Sequence, residues 1–257
     1  MLNFGLFVAI IHLKTCISTS AVPQEYYPIE NYNLNLFQGD ILLENGTFDM
    51  VRKRWKRFAT PHKSLRWPDG VVPYILDDIY SDSEKELIRF AMDEFEQQTC
   101  IKWVERTDED SYVEIFNDVG CYSDIGRTSG RRSLSLESPI CMNKGTILHE
   151  LMHALGFLHE HSRPDRDDYV DVVWDNIVNG METNFEKYRP HEIDTMGLDY
   201  DYRSVMHYRP YMYAVDRNYP TLKPSNNQVP LEELGYGQAE GTFSDLDIEK
   251  IKTFYEC

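Results

Sequence analysis

The sequence predicts an α+β fold with a regular first half and a looser second half, and three observations carry that reading. Short runs rich in β-branched and aromatic residues stand at 71–76, 101–105 and 112–116, and an alternating Ser-Leu run stands at 133–136, each of strand length. Between the first two, residues 81–98 repeat apolar side chains at helical spacing. Beyond Gly156 both periods fade into a stretch rich in Tyr, Pro and Asn. No internal repeat or low-complexity tract interrupts the 257 residues, so this part reads as one unit with short appendages.

The elements follow in order. An apolar run from Leu2 to Ile11 leads into a polar tail ending in Ser18-Thr19-Ser20-Ala21, the pattern of a secretory signal over residues 1–20. The run is only about 10 residues, too short for a bilayer, and nothing else in the chain reads as a membrane span. Two features depart from the usual signal: no Lys or Arg precedes the run, and Lys14 follows it. Residues 21–57 read as a pro-segment, short and without a sustained period of 2 or 3.6. They close on Arg52-Lys53-Arg54-Trp55-Lys56-Arg57, a cluster suited to a processing protease of the secretory pathway. Asn45-Gly46-Thr47 is a glycosylation sequon in the same segment. The globular domain is then 58–257. In it the 81–98 helix is capped by Ser81 or Ser83, has Glu84 and Glu86 in its first turn, and puts Leu87, Ala91 and Phe95 on one face. A second helix begins near Gly145. Another is expected over 175–188, and a last from Ser244 to about Tyr255, with Leu246, Ile248, Ile251 and Phe254 apolar.

Charge and cysteines narrow the class. A net charge of −17 argues against nucleic acid as a partner, because phosphate binding needs a basic face. Of 5 cysteines, Cys16 lies in the signal. Cys100, Cys121, Cys141 and Cys257 remain, an even number that suggests two disulfides in an exported protein and leaves three connectivities open.

The chemistry concentrates in His149-Glu150-Leu151-Met152-His153-Ala154-Leu155-Gly156-Phe157-Leu158-His159. His149 and His153 stand four apart on a helix, so both rings project from one face toward a single Zn²⁺. Glu150 is placed beside them to take a proton from water that the metal acidifies. Gly156 lets the helix stop and the chain double back, so that His159 supplies a third nitrogen. Farther on stands Ser204-Val205-Met206-His207-Tyr208, which completes the H-E-x-x-H-x-x-G-x-x-H … Met-turn arrangement. No G-x-S-x-G elbow points to a serine hydrolase. A protein that only bound zinc and a partner would have no need of Glu150.

These residues resemble the astacin family of metzincin endopeptidases. The match runs from Trp67-Pro68-Asp69-Gly70-Val71-Val72-Pro73-Tyr74 to Cys257, includes Glu160 after the third histidine, and extends to Phe37-Gln38-Gly39-Asp40, which is similar to the family's F-x-G-D latency motif. The resemblance implies a two-subdomain fold. Its N-terminal part holds a twisted mixed sheet and two long helices, and its irregular C-terminal part holds the Met-turn and a terminal helix. It implies one zinc ion per chain on His149, His153 and His159, Glu150 as general base and Tyr208 as a swinging ligand that steadies the oxyanion. Met206 would form an apolar floor beneath the metal, and Asp40 would bind the zinc in a latent precursor. Glu160 would be linked through water to a new N-terminus near Phe58, a bulkier residue than is usual there. The implied disulfides are Cys100–Cys257 and Cys121–Cys141. A secreted enzyme acting on extracellular or luminal proteins or peptides is expected, without C-terminal accessory modules and, lacking spare cysteines, as a monomer.

Overall fold

The computed structural model describes residues 36–42 and 63–257. The expected signal at 1–20, the sequon at Asn45, the basic cluster at 52–57 and Phe58 lie outside the described residues. Eight strands and four α-helices are named here in chain order: β1 (Ile41–Leu42), β2 (Val71–Leu76), α1 (Asp82–Gln98), β3 (Lys102–Glu105), β4 (Tyr112–Phe116), β5 (Cys121–Asp124), β6 (Arg131–Leu136), α2 (Lys144–Ala154), β7 (Val170–Val172), β8 (Leu222–Pro224), α3 (Tyr236–Glu240) and α4 (Asp245–Tyr255). Six strands form one sheet in the order β1-β5-β6-β4-β2-β3. All its pairs are parallel except β5–β6, so the sheet is mixed.

Each helix has a local cause. Ser81 caps α1 in a reciprocal box with Glu84. The helix buries Ile88, Ala91, Met92 and Phe95, a stripe one residue round from the expected Leu87 face, because Leu87 is only half buried. Asn143 caps α2 by accepting from the Thr146 N–H. From Gly145 to Ala154 every residue of α2 is buried, so the helix runs through the core between the sheet, α1 and α3. Ser244 and Asp247 form a second capping box on α4.

The second half is irregular, with one two-stranded sheet of β7 and β8. The helix expected over 175–188 is absent. Only single tight turns form there, at Trp174–Asn176 and Glu182–Phe185. The backbone between them is used elsewhere: Ile177 bridges Ala214, the Val178 N–H donates to the Tyr213 carbonyl at 2.9 Å, and Gly180 takes a φ of 92°. The disulfides join Cys100 to Cys257 and Cys121 to Cys141. No described helix is long and apolar enough to cross a membrane.

Candidate active site and metal centre

The site starts with the end of α2. The Gly156 N–H bonds to the His153 carbonyl at 2.8 Å and the Phe157 N–H to the Met152 carbonyl at 3.1 Å. This paired closure is a Schellman motif, and it needs the left-handed conformation that Gly156 supplies at φ 106°. The chain reverses there and brings His159 back beside His149 and His153.

Each ring is fixed through Nδ1. His149 Nδ1 lies 2.8 Å from the Val205 carbonyl, His153 Nδ1 2.8 Å from the Phe157 carbonyl, and His159 Nδ1 3.0 Å from Gln38 Oε1. These oxygens only accept, so each Nδ1 carries the proton and each Nε2 presents a lone pair. Burial favours the neutral form: it holds His153 below the ordinary histidine value and His159 down to about 4.

The lone pairs converge. His149 Nε2 and His159 Nε2 are 3.2 Å apart, and Asp40 Oδ2 lies 3.2 Å from the first and 3.1 Å from the second. Asp40 Oδ1 is 3.6 Å from His153 Nε2, and neither of these buried atoms has a hydrogen-bond partner among the described residues. Unscreened lone pairs and a carboxylate at such separations repel one another. Four ligands around a tetrahedral zinc at about 2.0–2.1 Å would stand about 3.3 Å apart, close to the separations among His149, His159 and Asp40 Oδ2, with His153 somewhat wider at 3.6 Å from Oδ1. Asp40, His149, His153 and His159 form a group suited to one zinc ion.

Other side chains flank this group. Glu150 is 2% exposed, and its Oε2 has no hydrogen-bond partner among the described residues. Burial, and next the charge of Asp40, push its carboxyl well above the usual range. The Tyr208 hydroxyl donates to the Gln38 carbonyl, and its ring stacks on His161 with centroids 3.7 Å apart. Met206 is buried in the main core and accepts the Glu160 N–H through its carbonyl at 2.9 Å. Asp40, Glu150 and Tyr208 border a cavity of about 500 Å³ together with Arg209 and Tyr236.

Glu160 faces away from the histidines. It pairs with Lys250 at 2.8 Å and Arg163 at 3.1 Å, and it accepts the Asp201 N–H at 2.9 Å beside a second cavity of about 380 Å³. Gln38, His161, Asp247 and Lys250 also stand around the site, and no local pattern marks them as site residues, except that Gln38 fills the variable place of the F-x-G-D motif.

The family model for the astacin peptidases matches residues 59–256. The chain is 42% identical over 231 residues to zinc metalloproteinase nas-15 of Caenorhabditis elegans, covering 89% of this chain and 39% of that protein. It is 39% identical over 260 residues to nas-4 of the same organism, covering 100% of this chain and 79% of that one. The chain thus spans well under half the length of the first relative and most of the second. Among solved structures, it is similar to high choriolytic enzyme 1, a hatching enzyme zinc-protease from the medaka fish Oryzias latipes. The TM-score is 0.70 and the identity 36%, over 76% of this chain and 96% of that one. Fold and histidine cluster together define a zinc metallopeptidase domain. More narrowly, the chain belongs to the astacin family, and its domain is that family's zinc metalloendopeptidase domain.

Proposed function

We propose that this protein is a secreted zinc endopeptidase, made as a latent precursor, that cleaves extracellular or luminal proteins. The observation that carries the reading is the convergence of three unprotonated imidazole nitrogens on one point, beside an unpartnered glutamate. A zinc ion held by His149, His153 and His159 supplies Lewis acidity, polarising a scissile carbonyl and lowering the pKa of water to about 7. Glu150 takes the proton of the attacking water and returns it to the leaving amine. The Tyr208 hydroxyl donates to the developing oxyanion, and Met206 supports the site from below.

Latency follows from the same residues. Asp40 occupies the open face of the histidine group, and the Gln38 carbonyl takes up the Tyr208 hydroxyl. Cutting at the basic cluster near Arg57 releases both. Glu160 then faces the new N-terminus through the smaller cavity, while Asn45 carries its glycan on the discarded segment.

Casein hydrolysis by the processed protein tests the activity. It should be abolished by a chelator and by Glu150→Ala. Zinc-loaded, correctly processed protein with no activity on any protein substrate would sink the enzyme reading. For latency, the uncut Asp40→Ala precursor should be more active than the uncut wild type, and equal silence would count against Asp40 as the switch.

A further inference from the structure

The three imidazoles differ in where their outer partners come from. His149 and His153 give their Nδ1 protons to main-chain carbonyls of Val205 and Phe157, inside the peptidase domain. His159 gives its proton to Gln38, in the segment 36–42 that precedes the domain.

The Gln38 amide is oriented without ambiguity. Its Nε2 lies 3.2 Å from the Glu186 carbonyl, which can only accept, and 2.8 Å from Ser162 Oγ. Its Oε1 must therefore face the other side, where the Tyr188 hydroxyl donates at 2.8 Å and His159 Nδ1 stands at 3.0 Å. Every donor and acceptor of the amide is used, and the residue is 1% exposed. Its backbone sits at φ 49°, in the left-handed region. Side chain and main chain together hold it there, because its carbonyl also accepts from Tyr208.

We propose that Gln38 is a positioning residue for the third metal ligand of the latent protein: it fixes His159 with Nε2 toward the metal, so the pro-segment secures the zinc while it blocks the site. This rests on the zinc-site reading above. Such outer partners orient a ligating histidine and raise its basicity, and losing one typically costs 10–100-fold in metal affinity. Removing the pro-segment takes the acceptor of His159 away and leaves those of His149 and His153 in place. The precursor therefore holds zinc more tightly than the processed enzyme through two separable contacts, Asp40 on the metal face and Gln38 behind His159.

The test titrates zinc-loaded, uncut full-length precursor against a chelator of known affinity. Gln38→Leu should bind zinc about 10–100-fold more weakly than wild type. That loss should persist when both proteins also carry Asp40→Ala. Tyr188→Phe removes the other donor to Oε1 and leaves the His159 bond, so it should stay within about twofold of wild type. Once the pro-segment is cut, the wild-type and Gln38→Leu products share one sequence, and equal zinc affinity there shows that the variant's domain folded. Equal affinity of the wild-type and Gln38→Leu precursors overturns the inference. So does a Gln38→Leu loss that vanishes with Asp40→Ala, or one that Tyr188→Phe reproduces. A wild-type precursor that takes up no zinc overturns the zinc reading as well.

Discussion

Gly39 shows how tightly single residues are specified around the site. It sits at φ +84°, and a Cβ there would lie 1.9 Å from the Tyr213 hydroxyl and 3.4 Å from that of Tyr208. A side chain would force the Asp40 turn off the histidines, so Gly39→Ala should unlatch the precursor without altering the processed product. Uncut Gly39→Ala should gain chelator-sensitive activity approaching that of Asp40→Ala, and activity no higher than wild type would contradict this. The meeting of His149, His153 and His159 was legible in the sequence because their spacing reflects one helical turn and one glycine reversal, whereas Asp40, more than a hundred positions away, was placed beside them only by the resemblance. Gln38 was not legible as the partner of His159. Its role depends on contacts with Ser162, Glu186 and Tyr188, more than a hundred positions away, and no local pattern encodes them.

Among the elements, α4 reaches the metal group without touching it. Asp247, in its first turn, accepts from Ser204 Oγ at 2.6 Å and from the Val205 N–H at 2.9 Å. The Val205 carbonyl in turn orients His149. Asp247→Ala strands these buried donors, so it should cost about 3 kcal/mol in denaturant unfolding and weaken zinc retention. A stable variant with unchanged zinc affinity would contradict that link.

Asp201, near the same helix, offers a pH test. Burial, then the charge of Asp247, raise its carboxyl from 3.8 to about 6, against the pull of Lys250. The fold thus favours its protonated form. The stability it contributes is present below about pH 4 and is lost as pH rises through about 6. Asp201→Asn should lose less stability than wild type between pH 4 and 6, and an unchanged slope would rule this group out. Helices α1 and α4 were legible because cap and apolar stripe agree at both. The helix expected over 175–188 had the apolar spacing, but Gly180 and cross-chain pairing to 213–214 overrode it. Strand β5, Cys-Tyr-Ser-Asp, showed too little alternation to be seen.

Over the whole molecule, the Cys100–Cys257 bridge ties the end of α1 to the last residue across a separation of 157. Removing both cysteines should lower unfolding stability by about 2–5 kcal/mol, and an unchanged denaturation midpoint would contradict a structural role. The bridge keeps α4 docked, and α4 braces the Met-turn through Asp247. The two-half architecture was legible because periodicity ends where the sheet subdomain ends. The ion pair of Glu160 with Lys250 was not, because it joins segments 90 positions apart. Function in this account depends on three histidines, on a helix and its reversal, holding one zinc ion. Metal content measured on purified wild-type and His159→Ala protein tests it most directly. About one zinc per wild-type chain, with most of it lost in His159→Ala, is the predicted result. No zinc in the wild type, or full zinc in His159→Ala, would contradict it.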